Sequence, residues 1–193
     1  MNILLIRHGV SEYVEGDYHL SELGNSQSKR LAKKLKSINI TKTYSSDSIR
    51  VFQTYNYYKK EIKHIPHKTT KKLREISNVV DRHNKRSLVE FYLSKDRLRA
   101  DEMFDELLSN KDDAVLAVFC HGNIIKYFLS KVMNTKKNFN IWETIIINNV
   151  SISIIEVNKQ RFRIKSINNI NHLEKKFIKE FYEKNTKSLL YDD

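Results

Sequence analysis

Apolar residues along this chain alternate between short continuous runs and stretches at helical spacing. Residues 2–6 form a compact run rich in Ile and Leu, with the length of a buried strand. After a polar stretch, Leu20, Leu23, Leu31, Leu35 and Ile38 recur at helical intervals, with Ser21 placed as N-cap and Lys29, Arg30, Lys33, Lys34 and Lys36 between them. Residues 42–45 read as a second strand. Ser46 or Asp47 then caps a helix carrying Ile49, Phe52 and Tyr55 or Tyr57. Residues 61–65 form a third strand candidate, closed by Pro66. Two helical patches follow, Leu88, Phe91 and Tyr92, then Leu98, Met103, Phe104, Leu107 and Leu108. The strongest strand signal is residues 114–120, which run through His121, Gly122 and Asn123 into a helix. That helix carries Ile124, Ile125, Phe128, Leu129, Val132 and Met133 on one face. Residues 145–147, 151–157 and 161–167 read as strands, the last two as a hairpin. Residues 172–190 form an amphipathic helix through Leu173, Phe177, Phe181 and Leu189. Strands alternating with helices predict a three-layer α/β/α sandwich around a mostly parallel central sheet, which the late hairpin makes mixed.

At 193 residues, with no Gly/Ser linker, repeat or low-complexity tract, one domain over 1–193 is expected. No apolar run approaches the roughly 20 residues of a membrane helix. The N-terminal residues carry no basic leader and no small-residue cleavage site, so a cytoplasmic protein without membrane association is expected. One cysteine, Cys120, excludes an internal disulfide and multi-cysteine metal sites.

Lysine and arginine number 35 against 23 acids, for a net charge of +12. Residues 1–100 hold 21 of these cations against 10 acids, densest over residues 59–86. Such a half can steer an anionic ligand. No known nucleic-acid motif accompanies it, and no nucleic-acid partner is expected. Most of these lysines read as solvated surface in an asparagine- and lysine-rich chain.

Two apolar strands end in histidine followed by glycine, at Arg7-His8-Gly9 and Cys120-His121-Gly122. In open α/β sheets ligands gather at the carboxyl ends of strands, so both histidines belong to the functional edge. Arg7 adds a cation, and the helix from Asn123 offers free N–H groups to an anion. A cysteine-phosphatase loop is ruled out, because the sixth residue after Cys120 is Lys126 rather than arginine. His64 and His67 lack acidic or thiol partners for zinc and read as a surface pair. No P-loop is present. What remains is histidine as nucleophile, a neutral imidazole whose second nitrogen donates to a fixed acceptor.

Together with these, Leu20-Ser21-Glu22-Leu23-Gly24-Asn25-Ser26-Gln27, the block from Tyr44 through Ser45, Ser46, Asp47 and Arg50 to Thr54, Leu73-Arg74-Glu75-Ile76, and Asn149-Val150-Ser151-Ile152-Ser153 resemble, in order, the signatures of the histidine phosphatase (phosphoglycerate mutase-like) superfamily, phosphatase branch. The resemblance implies that His8 is phosphorylated during turnover and that Arg7, Arg50 and His121 line the phosphate pocket. It makes Glu75 the general acid and base, and puts Ser11 and Asn123 near the pocket. It implies no cofactor and no metal. Lys71, Lys72 and Arg74 around Glu75 would by themselves favour its carboxylate, so desolvation and the substrate's phosphate charge must raise its pKa. Val14 stands where family members usually carry a polar residue, often asparagine, which removes one phosphate contact. Only 46 positions separate Glu75 from His121, without the long insertion of glycolytic mutases, so an open cleft admitting water is expected. The implied activity is a phosphomonoesterase acting on a small, acidic phosphorylated substrate. A mutase-type phosphotransferase, a phosphohistidine-protein phosphatase and a catalytically silent phospholigand-binding module stand as alternatives.

Overall fold

The computed structural model describes residues 1–62, 65–76, 94–134, 141–159, 161–174 and 177. Its main sheet has six strands: β1 (Asn2–Arg7), β4 (Lys42–Ser46), β5 (His67–Thr70), β6 (Val115–Cys120), β7 (Ile152–Asn158) and β8 (Arg161–Asn169), in spatial order β5-β4-β6-β1-β7-β8. The first four are mutually parallel, and β7 pairs antiparallel with both β1 and β8. A separate two-stranded ribbon, β2 (Ser11–Val14) and β3 (Asp17–Leu20), leads from β1 into α1 (Glu22–Lys36).

β1 and β6 are the innermost strands, apolar on both faces because helices cover both. Leu4, Ile6, Ala117 and Phe119 face α1 and α2 (Ile49–Lys59), packing with Leu31, Leu35, Val51 and Tyr58. Ile3, Leu5, Leu116 and Val118 face α3 (Lys95–Leu108) and α4 (Gly122–Met133), packing with Met103, Leu107, Ile125 and Phe128. A short α5 (Ile141–Thr144) lies on the same side. The sandwich is therefore the mixed, mostly parallel α/β/α arrangement expected. Among the described residues no helix is long and apolar enough to cross a membrane.

α1 begins where its sequence indicates, with Ser21 Oγ accepting from Gly24 N–H at 3.1 Å. Four elements depart from the pattern. The polar stretch before α1 contains the β2–β3 ribbon, whose Tyr13, Val14 and Tyr18 are exposed and leave no burial signature. α2 is capped by Ser48, not Ser46 or Asp47, and it buries Val51, Thr54, Tyr55 and Tyr58 while Phe52 stays exposed. The third strand follows Pro66 instead of preceding it: the Pro66 carbonyl accepts from Thr43 N–H at 2.9 Å, and the polar His67–Thr70 runs along the sheet edge. Residues 145–147 are not a strand, and Ile146 points to solvent. The helical patch at Leu88, Phe91 and Tyr92 and most of the helix expected over 172–190 fall outside the described residues.

Candidate active site

β1 carries Arg7 and His8 to the carboxyl edge of the sheet beside β6, which delivers His121 to the same edge. His8 is fixed by its backbone first. Its N–H donates to the Cys120 carbonyl at 3.1 Å, and its carbonyl accepts from Asn149 Nδ2 at 2.9 Å and Val150 N–H at 3.3 Å. The chain then turns through Gly9, whose N–H donates to Thr54 Oγ1 at 3.1 Å. Gly9 and Gly24 let two backbones meet. A Cβ at Gly9 would stand 2.7 Å from the Gly24 carbonyl oxygen, and one at Gly24 would stand 1.9 Å from the Val10 carbonyl oxygen. The start of α1 is thereby packed directly under the His8 turn.

The His8 ring is buried and its tautomer follows from its neighbours. Nδ1–H donates to the Gly9 carbonyl at 2.7 Å, so Nε2 carries the lone pair, which accepts from Arg50 Nε–H at 3.2 Å. Arg50 also donates from Nη2 to His121 Nδ1 at 3.2 Å, and His121 Nε2–H donates to Ser46 Oγ at 3.2 Å. The two imidazoles meet edge to face with centroids 5.2 Å apart. Burial, then the neighbouring His121 and Arg7, hold the His8 pKa well below the ordinary histidine value. Burial, then Arg50 and Arg7, hold His121 at about 3. Both rings are neutral near pH 7, and neutrality is what leaves Nε2 of His8 nucleophilic. Arg7 donates from Nη1 to the Ile147 carbonyl, while its Nε–H is buried without an acceptor among the described residues. A buried guanidinium N–H without an acceptor is costly unless an anion completes it.

Glu75 follows the short 3₁₀ turn of Lys71–Leu73. Its Oε1 accepts three main-chain N–H groups, from Asn123 at 3.0 Å, Ile76 at 3.1 Å and Ile124 at 3.2 Å. The free donors at the start of α4 are thus engaged by a protein carboxylate. Burial still pushes the Glu75 pKa above the ordinary carboxyl value, against those N–H groups and Arg7. The cations adjacent in sequence point elsewhere. Arg74 makes a bidentate pair with Asp47 at 2.8 and 2.7 Å, and Lys72 pairs with Glu102 at 3.1 Å. Lys68 pairs with Glu106 at 2.6 Å, so the basic run presents fewer unpaired charges than its sequence suggests.

Arg7, His8, Arg50, Glu75 and His121 are therefore brought to one edge of the sheet, linked by hydrogen bonds or by the charge interactions between Arg7, Glu75 and Arg50. Ser11 opens β2, half-buried and in register with Leu20. Asn123 turns its side-chain amide to the Ile76 carbonyl at 3.1 Å, so both of its donors serve the Glu75 segment. Cys120 is buried in β6, and burial drives its thiol pKa far up, as suits an inert core residue. His67 stacks on Tyr55 at 3.9 Å and bonds to Thr43 Oγ1, while His64 lies outside the described residues. Ser46, Thr54 and Asn149 each bond to a site residue, and none of them is a sequence-predicted site residue. Ser46, Thr54 and Asn149 lie within the matched signature blocks, the one signal that marks them. Tyr18, whose ring faces Arg50 with the guanidinium carbon 5.3 Å from its centroid, lies in no such block.

The site stands among known proteins as follows. The family model described as histidine phosphatase superfamily (branch 1) matches residues 3–88 and 93–170. The mitochondrial serine/threonine-protein phosphatase Pgam5 of Caenorhabditis briggsae is 29% identical over 188 residues, covering 89% of this chain. That of Caenorhabditis elegans is 28% identical over 186 residues, again 89%. This chain spans 64% of the length of either relative. Among solved structures, YhfR of Bacillus stearothermophilus superposes with a TM-score of 0.72 at 22% identity, over 90% of this chain and 99% of that one. A phosphoserine phosphatase of Entamoeba histolytica in complex with 3-phosphoglyceric acid gives 0.69 at 18% identity, over 90% and 99%. These structures share the fold. The family match reaches from the strand that carries His8 to the hairpin beyond Asn149, and with it this chain belongs to the histidine phosphatase superfamily.

Proposed function

We propose that this chain is a phosphomonoesterase working through a phosphohistidine on His8. The observation that carries the reading is the environment of one atom: Nε2 of a buried, neutral His8, oriented by Nδ1–H on the Gly9 carbonyl and faced by Arg50. In the first step Nε2 attacks phosphorus and the ester P–O bond breaks. The leaving oxygen takes the proton from Glu75, whose raised pKa suits a carboxyl that must donate. Arg50 and Arg7 supply positive charge to the phosphoryl oxygens, and the unpartnered Nε–H of Arg7 donates to one of them. Glu75 then takes a proton from water as the water oxygen bonds to phosphorus, and Nε2 leaves with its lone pair restored. Phosphatase activity in the named relatives supports hydrolysis over transfer. The substrate class is a phosphorylated small molecule; preference for an acidic one draws on few cations, because Lys68, Lys72 and Arg74 are paired.

Phosphate release from a panel of phosphomonoesters, with chelator present, tests the reading with native protein and His8→Ala. Turnover by the native protein, none by the variant, and an acid-labile, alkali-stable phosphoryl adduct on the native chain are expected. Binding of phosphate esters without turnover or adduct would replace the enzyme by a phospholigand-binding module. Transfer to a second hydroxyl in place of water would make it a mutase.

A further inference from the structure

Glu75 follows a 3₁₀ turn in which the Arg74 N–H bonds back to the Lys71 carbonyl at 3.1 Å. Four main-chain carbonyls of residues 71–75 converge on one side chain. Arg99, in the second turn of α3, donates from Nη1 to the carbonyls of Lys71 at 3.3 Å, Lys72 at 3.1 Å and Arg74 at 2.7 Å. Its Nη2 donates to the carbonyl of Glu75 itself at 3.1 Å and to Asp96 Oδ1 at 2.8 Å, one turn back on the same helix. Arg99 has only 19% of its side chain exposed. A surface arginine at such a position would ordinarily serve one carboxylate, and that pair would contribute little. Here the planar fork gathers the main chain of residues 71–75 and ties it to a rigid helix.

The opposite side of Glu75 is held as firmly. The N–H groups of Ile76, Asn123 and Ile124 fix Oε1, and Asn123 Nδ2 donates to the Ile76 carbonyl. The Glu75 main chain therefore lies clamped between α3 through Arg99 and α4 through Asn123. The Arg99 charge also reaches His121, where it helps to keep the ring unprotonated.

We propose that Arg99 is the positioning residue of the acid–base step. It acts through Glu75, without touching substrate, by holding the 71–75 main chain so that the carboxyl stands at one fixed place relative to His8. The inference rests on Glu75 being the general acid.

Leaving-group dependence tests it. A 4-nitrophenyl ester departs without needing a proton, whereas a simple alkyl phosphate does not. kcat/KM reports the chemistry up to the first irreversible step, the formation of the phosphohistidine. Arg99→Met keeps the reach of the side chain and removes the donors. It should lower kcat/KM for the alkyl ester about 10- to 100-fold and change the aryl ester less than about threefold. Arg99→Lys, which keeps the charge near His121 without the planar fork, should fall between native and Arg99→Met on the alkyl ester. Glu75→Gln should give the same selectivity in full, about 100- to 10,000-fold on the alkyl ester. Equal losses on both esters in both Arg99 variants would reduce Arg99 to a stabiliser of the fold and overturn the proposal. Selectivity in Glu75→Gln but not in either Arg99 variant would overturn it while leaving the general acid in place. Loss of selectivity in Glu75→Gln itself would remove the acid, and the inference with it.

Discussion

Lowering the pH from 6 to 5 should unfold this protein more readily, because its two central histidines decline protons that the unfolded chain accepts. His8 is 6% exposed and His121 is 0% exposed. Burial and neighbouring positive charge hold the first well below its ordinary pKa and the second at about 3. An unfolded histidine titrates near pH 6.5. Between that value and the depressed folded ones, the unfolded state binds more protons, so stability falls as pH falls. Integrated over this one pH unit, each histidine removes at most about 1 kcal/mol and the two together at most about 2 kcal/mol. Glu75 works in the opposite sense. Its folded pKa is raised, so the folded state takes up a proton first and offsets part of that loss. The net loss is on the order of 1–2 kcal/mol, a large part of an ordinary folding free energy. His67 and His172, each lowered to about 4 mainly by burial, add in the same direction. Asp47 and Asp101, with pKa values below the ordinary carboxyl range, contribute only at lower pH. Urea unfolding followed by circular dichroism at several pH values, in phosphate-free buffer, measures the effect. With a slope of about 2 kcal/mol per molar the midpoint should drop by about 1 M or more, since His67 and His172 add to the loss. His8→Asn isolates one histidine: its stability should lose about 1 kcal/mol less over the same unit of pH. Parallel pH dependence in native protein and His8→Asn would refute the claim that His8 is held neutral.

Three other outcomes follow from the geometry. Gly24→Ala drives a Cβ into the Val10 carbonyl, and thermal unfolding should show a loss of about 2 kcal/mol or more, together with reduced turnover as the His8 turn shifts. Arg50→Lys keeps the charge but cannot donate to both His8 and His121, so steady-state kinetics should show kcat/KM lower by about 100-fold at near-native stability. Cys120 should resist alkylation in the folded protein at pH 8 and react at once in denaturant, as mass spectrometry after iodoacetamide would register.

The elements legible in the sequence are those buried on a continuous face. β1, β6, α1 and α4 each bury a run or stripe of aliphatic side chains, and the β7–β8 hairpin alternates clearly enough to be read. β5 is legible only in three dimensions, since His67, Lys68, Thr69 and Thr70 form an edge strand by pairing with β4 rather than by burying apolar surface. The β2–β3 ribbon fails for a related reason, as its tyrosines face solvent. Two of the site residues, His8 and His121, stand out as strand ends, whereas Arg50 and Glu75 emerge only through family resemblance. The raised pKa of Glu75 shows what sequence adjacency misses. Lys71, Lys72 and Arg74 lie within four positions of it, yet the fold turns Lys72 and Arg74 to Glu102 and Asp47 and buries the carboxyl, so its pKa rises where those cations alone would lower it. Arg99 is invisible in the same way, because its acceptors are main-chain carbonyls 24 to 28 positions away.

The order of strands in the sheet also governs when the site can exist during synthesis. β1 precedes its neighbours in the chain, and it pairs along its length with Val115–Cys120 on one side and Ile152–Asn158 on the other. Asn149, whose Nδ2 donates to the His8 carbonyl, is equally remote along the chain. Contacts of such sequence separation carry a large loop-closure cost and form slowly. His8 therefore precedes these partners in the chain and is set in place only once they have been made. A nascent chain that has emerged only as far as α3 holds β1 without either neighbour, an apolar strand with both edges open to other chains.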